Sequence, residues 1–127
     1  MTISTKNFKP EFDYKLLCTC GHADCDERSV NQFTLNQVQR VRDDLGMRMI
    51  ITSGGRCPNH PNEVTKKSPG DHQKQYAVDA HYSNVIERNK LMVLAGRHGA
   101  TRVAYGKTFV HMAWTPTNDR SVPTWEY

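Results

Sequence analysis

The segment Ala77-Val78-Asp79-Ala80 sets an acid inside a short apolar run. Residues 76–82 read as a strand of small apolar side chains around that acid. An ionised carboxylate is very costly to bury unless a cation pairs with it. Any fold of this chain must therefore bring positive or metal-binding groups to Asp79. A second apolar strand, Phe109-Val110-His111-Met112-Ala113-Trp114, is interrupted in the same way by His111. His72 lies near the end of a long polar stretch. Two imidazoles and one carboxylate are a common ligand set for catalytic zinc, with water in the fourth position. Such a water ionises near neutral pH and attacks carbonyl groups. Spacing alone leaves rivals open, because His22, His60, His81 and His98 supply other triples. His81, two residues beyond Asp79, shares its strand face.

The remaining pattern predicts an α+β fold. Thr34 is the expected N-cap of a first helix, with Gln37 completing a capping box. Leu35, Val38, Val41 and Leu45 follow at helical spacing, and Gly46 is a suitable C-cap. Residues 47–52 read as a short strand, broken by Ser53-Gly54-Gly55-Arg56-Cys57-Pro58. Residues 59–75 are polar and read as a long functional loop. Asn84 and Glu87 form a second capping box for a helix over residues 85–97, ended by Gly96 or Gly99. Residues 101–106 and 108–114 read as a hairpin with a tight turn at Gly106-Lys107. Because the strands are short and two form a hairpin, an antiparallel sheet with flanking helices is expected. The 127 residues suit one domain spanning 1–127.

Composition excludes several classes. No apolar run is long enough for a membrane span. Residues 1–15 lack the apolar core of a secretory signal, so synthesis in the cytoplasm is expected. No repeat or low-complexity tract is present. Eleven aromatics argue against disorder. The net charge of +4 favours anionic partners such as nucleic acid or a cell wall, without a basic block that would form a nucleic-acid arm. Four cysteines, Cys18, Cys20, Cys25 and Cys57, could hold a second, structural zinc as thiolates, with His22 as a possible substitute ligand. The plainer reading is a thiol cluster packed as small apolar groups.

Ordered along the chain, Ile51-Thr52-Ser53-Gly54-Gly55-Arg56-Cys57-Pro58, His72, Ala77-Val78-Asp79 and Phe109-Val110-His111 resemble the zinc D-alanyl-D-alanine carboxypeptidase family. That family includes phage endolysins and shares its fold with the hedgehog signalling domain. Its pattern reads S-G-Y-R, then H-x-x-G-x-A-x-D, then a late strand carrying His. Cys18-Thr19-Cys20-Gly21 and the terminal Trp125-Glu126-Tyr127 resemble its small phage and bacterial branch. The resemblance implies that His72, Asp79 and His111 bind Zn2+. It implies that Arg56 holds a substrate carboxylate or steadies an oxyanion. Four positions depart from the pattern. Gln75 replaces the Gly of H-x-x-G, and Gly70 stands where a Ser is common, with Ser68 nearby. Thr108 replaces a Glu three residues before the last His, and Ala113 replaces an Asp two residues after it. Asp71 is the expected substitute general base, with His81 and Glu63 as alternatives.

Three functions follow. The leading expectation is a monomeric zinc peptidase cutting peptidoglycan stem peptides, as a carboxypeptidase or an endolysin-type endopeptidase. It would act at the cell wall through phage lysis or carriage in a virion. The second is a zinc-bearing binding or structural module on the same scaffold, with catalysis lost. The third, a cysteine-zinc nucleic-acid binder, lacks an aromatic-rich basic stripe, so nucleic acid is not an expected partner.

Overall fold

The computed structural model describes residues 3–10, 14–67 and 69–116. The Trp125-Glu126-Tyr127 signature and Ser68 lie outside the described residues. After a short 3-10 turn at Tyr14–Leu16, the chain forms helix α1 (Gln32–Leu45) and strand β1 (Ile51–Ser53). Strand β2 (Ala77–His81), helix α2 (Val85–Arg97) and strands β3 (Arg102–Tyr105) and β4 (Phe109–Ala113) follow. The four strands make an antiparallel sheet in the order β1-β2-β4-β3, so the α+β expectation holds. Among the described residues, no helix is long and apolar enough to cross a membrane.

Alternation along β2 and β4 explains the layering. Val78, Ala80, Val110 and Met112 point into one core with Leu35, Val38 and Val41 of α1 and Leu91, Leu94 and Ala95 of α2. In register on the other face stand Asp79 and His111, with Ala77 opposite Ala113. The two helices thus cover one face of the sheet and leave the polar face to the long loop after β1.

Helix α1 begins earlier than the pattern predicted. Asn31 is the N-cap, and its side chain accepts from the Thr34 amide at 2.7 Å. Asn is the stronger cap, and Thr34 serves instead as the third helical residue. Gly46 ends the helix as expected, in the left-handed region at φ 71°. At α2, Asn84 accepts from the Glu87 amide at 2.8 Å, as predicted. The helix stops at Arg97, and Gly99 (φ 83°) makes the left-handed exit, with Ala100 N–H donating to the Ala95 carbonyl. Strand β1 covers only Ile51–Ser53 rather than 47–52, because regular pairing to β2 begins there and is interrupted by a register shift between Ile51 and Ser53.

The loop from Gly54 to Tyr76 is a series of turns. Hydrogen bonds from His60 N–H to the Cys57 carbonyl and from Glu63 N–H to the His60 carbonyl hold its first half. Its exit is unusual. Gln75, in place of glycine, keeps the left-handed conformation at φ 70°. Its carbonyl accepts from the Asn31 amide at 2.9 Å, tying the turn to the start of α1. A side chain at positive φ costs roughly 1–2 kcal/mol, and glycine recovers most of that after its entropy loss. Gln75→Gly is therefore expected to stabilise the chain by up to about 1 kcal/mol, read as a Tm rise of a few degrees. A lower Tm would show that the Gln75 side chain contributes more than its backbone costs.

Candidate metal centre

Neighbouring strands supply two of the three converging side chains. Asp79 lies mid-way along β2, and its register partner on β4 is His111. The loop supplies the third. The His72 carbonyl accepts from the Arg56 amide at 3.2 Å, and its ring Nδ1 lies 2.7 Å from the Gly54 carbonyl. His72, Asp79 and His111 thus offer ligand atoms that all lie within 4.8 Å of one another. His72 and Asp79 are buried and His111 is partly so. The two imidazole rings meet edge-on at 5.0 Å between centroids.

A carbonyl oxygen only accepts, so His72 Nδ1 carries a proton and donates to Gly54. Its Nε2 faces Asp79 Oδ1, 3.3 Å away. A lone pair facing a carboxylate repels it unless positive charge lies between them. His111 presents the same problem. Its Nδ1 is 3.0 Å from Asp79 Oδ1, and its Nε2 is 3.3 Å from Asp71 Oδ2. In the metal-free ring both nitrogens carry protons; loss of the Nδ1 proton leaves a lone pair toward Asp79 while Nε2–H still donates to Asp71. Two imidazole nitrogens and a carboxylate oxygen thus face one point; with protons between them in the metal-free chain, they become on deprotonation a donor set that fits a divalent cation such as zinc.

Residues 6–113 match the family model described as Peptidase M15. The chain belongs to the Peptidase M15 family. That family is zinc-dependent, and as a peptidase family it makes a peptide the substrate class. Among curated proteins and among solved structures, none matches the chain.

Three acids and three bases surround the convergence point of this M15 chain. Arg56 lies 3.7 Å from Asp79 Oδ2 and 3.6 Å from Glu63 Oε2, Lys66 lies 2.7 Å from Glu63, and Arg102 lies 3.2 Å from Asp71. The formal charges cancel before any imidazole or metal charge is counted. Burial would raise the Asp79 pKa, but hydrogen bonds from His111 and His72 outweigh it and hold the carboxyl far below the usual range. Burial likewise opposes the shift at Asp71, where the His111 hydrogen bond and the Arg102 charge lower the pKa. At His111, burial disfavours the charged ring, yet Asp71 and Asp79 raise its pKa to about 9.

The other residues singled out in the M15 sequence lie elsewhere or in other roles. His98 caps α2, pairs with Asp44 at 2.7 Å, and accepts from Gln37 and Trp114 through its carbonyl. His22 is exposed and accepts from the Asp24 amide. His60 Nδ1 accepts from the Asn62 amide in the loop. His81 ends β2 opposite Phe109 and is not among the grouped ligands. Thr108 is exposed in the turn before β4, and Ala113 is buried between Ala77 and Arg102. Glu63 is buried, and its Oε1 has no hydrogen-bond partner among the described residues. The four cysteines form a second group. Sequence reasoning missed Arg102 and the Gly54 carbonyl. Neither bears a local signal, because both matter only through strand pairing and loop closure.

In the metal-free chain, His111 should titrate near pH 9, well above an unstructured histidine near 6.5. A raised folded pKa contributes stability fully below the unfolded value and loses it as pH rises through the folded one. Stability of the metal-free chain should therefore decline between about pH 6.5 and 9. Ring-nitrogen NMR and chemical denaturation across that range check both points. Asp71→Asn should move the titration downward.

Proposed function

We propose that this M15 chain is a zinc peptidase acting on peptidoglycan stem peptides at a bond near a D-alanine. The observation that carries the proposal is the single point faced by His72 Nε2, His111 Nδ1 and Asp79 Oδ1, with Arg56 beside it. These three residues would hold the zinc. Bound there, zinc supplies Lewis acidity toward a carbonyl and activates water. The wall substrate and a setting in phage lysis or a virion rest on the resemblance to D-alanyl-D-alanine carboxypeptidases. The net charge of +4 suits an anionic wall.

The remaining roles follow from the contacts. The Gly54 carbonyl fixes the tautomer and tilt of His72, and Asp71 does the same for His111. Asp71 acts here as a positioning residue. Its lowered pKa and its ties to His111 and Arg102 make it a weak proton acceptor. Arg56 has a side chain 14 % exposed, and its contacts to Asp79 and Glu63 are long at 3.7 and 3.6 Å. The guanidinium is thereby placed to take a substrate carboxylate or a developing oxyanion.

One observation favours a second reading. Thr108 is exposed and Ala113 carries no acid, so the two positions where relatives place a proton acceptor offer none. On that reading the chain binds zinc and wall peptides without turnover.

The deciding experiment incubates the zinc-loaded chain with purified muropeptides and follows free D-alanine and shortened stem peptides by mass spectrometry. Release that stops on chelation, returns with zinc, and is absent from a His72→Ala, Asp79→Ala variant supports the peptidase. Full activity of that variant rejects the site. Tight zinc and wall binding without products selects the second reading. Arg56→Ala should keep its zinc and lose roughly 10²-fold in kcat/KM, the usual effect of removing one oxyanion-stabilising donor. Asp71→Asn should weaken zinc binding by about 10–100-fold, measured by competition with a chromophoric chelator.

A further inference from the structure

A second group of ligands lies outside the peptidase centre. Cys18, Cys20, Cys25 and Cys57 are all free thiols, and their four sulfurs lie within 4.8 Å of one another. A tetrahedral ion with metal–sulfur bonds near 2.3 Å needs sulfurs roughly 3.8 Å apart. The Cys20 and Cys57 sulfurs are 3.5 Å apart, too far for a disulfide and suited to a shared ion. The chain is built to keep the sulfurs together. Gly21 turns left-handed at φ 80° just after Cys20. The Cys25 amide donates to the His22 carbonyl at 3.0 Å, closing the turn. The Glu27 amide lies 3.4 Å from the Cys25 sulfur, the kind of N–H contact that supports a thiolate.

We propose that these four cysteines bind a structural zinc ion as a tetrathiolate, and that this ion clamps the loop carrying Arg56 and Gly54 onto the N-terminal segment. Cys57 follows Arg56 directly, so fixing its sulfur fixes the root of the guanidinium. The same loop already lies hard against that segment. The Gly55 amide donates to the Leu16 carbonyl at 3.0 Å. A Cβ on Gly54 would come within 2.6 Å of that carbonyl oxygen, and one on Gly55 would run into the Arg28 carbonyl. The Gly54 carbonyl in turn holds His72. One ion at the cysteines therefore positions both the arginine and an imidazole of the other centre. A cavity of about 240 Å³ between Lys15, Cys20, Thr52 and Arg56 lies along this seam. Plain apolar packing of the thiols would call for no such convergence, since Cys20 and Cys25 are only partly buried.

The test loads the reduced full-length chain with zinc or cobalt and counts metal per chain. The wild type should hold about two ions, and His111→Ala about one. Cobalt in His111→Ala should still show the near-ultraviolet thiolate-to-cobalt absorption and the intense visible bands of a tetrahedral sulfur site. Cys25→Ser should lose that absorption while keeping the ion at the histidines. Limited trypsin digestion reads the clamp. Cleavage after Arg56 should be slow in zinc-loaded His111→Ala and several-fold faster once chelator strips the remaining ion. Should Cys25→Ser fail to fold, the cobalt spectrum and digestion of His111→Ala still decide the matter. Absence of the sulfur-to-cobalt band, or four thiols reacting at full rate with a thiol reagent in zinc-saturated protein, overturns the proposal. Iron in place of zinc in the purified chain overturns the choice of metal. Because the cysteine site is read in a variant lacking the peptidase centre, it stands or falls separately from the proposed function.

Discussion

The structure turns on the burial of one carboxylate. Asp79 sits 6 % exposed in the second strand, with apolar neighbours before and after it. Its charge persists because two imidazoles and a guanidinium converge on it from three directions. Each contributor depends on a different part of the fold. Strand pairing delivers His111, loop closure delivers His72, and the turn after β1 delivers Arg56. Pairing β2 with β4 in another register would move His111 off the Asp79 face and leave a buried ion without a partner. The polar cluster thus fixes the register as firmly as the apolar face does.

Rigidity at such a centre comes from atoms that never touch a substrate. The Gly54 carbonyl selects the His72 tautomer, and Asp71, held by Arg102, selects that of His111. Both are supported in turn by backbone contacts. Tyr76 N–H donates to the Asp71 carbonyl, Arg56 N–H to the His72 carbonyl, and Gly55 N–H to the Leu16 carbonyl. The loop has no helix or strand among its described residues, yet its ends are fixed at several points. A long irregular segment can carry chemistry only when its backbone polar groups are satisfied in this way.

Much of this was legible in the sequence. The sequence pattern carried both helices and all four strands, the first with shifted bounds, and the misplaced acid and histidine marked the sheet positions that matter. What failed did so for local physical reasons. Thr34 resembled a cap, but Asn31 competes better and captures the Thr34 amide. The pattern over residues 47–50 is apolar enough for a strand but lacks a regular partner ladder. Gln75 hid a glycine-like turn, because side-chain identity does not reveal a backbone held at φ 70° by its neighbours. Arg102 was invisible because its partner Asp71 lies 31 residues away, and nothing along the chain relates them.

Charge balance constrains what the centre can accept. Asp71, Asp79 and Glu63 are matched by Arg102, Arg56 and Lys66, so these six charges cancel before any imidazole or metal charge is counted. A divalent cation would leave an excess of positive charge in a poorly solvated space. That excess favours an anionic group close to Arg56, where the existing carboxylates approach no nearer than 3.6 Å. A peptide with a free carboxylate end, or one whose carbonyl gains negative charge on attack, relieves the imbalance. A neutral ligand does not. Glu63 sharpens the point. Its side chain is fully buried and one oxygen is unpartnered among the described residues, so the loop holds an acid beside Arg56 at an energetic cost. Such a cost is tolerable where the acid restrains the guanidinium beside it.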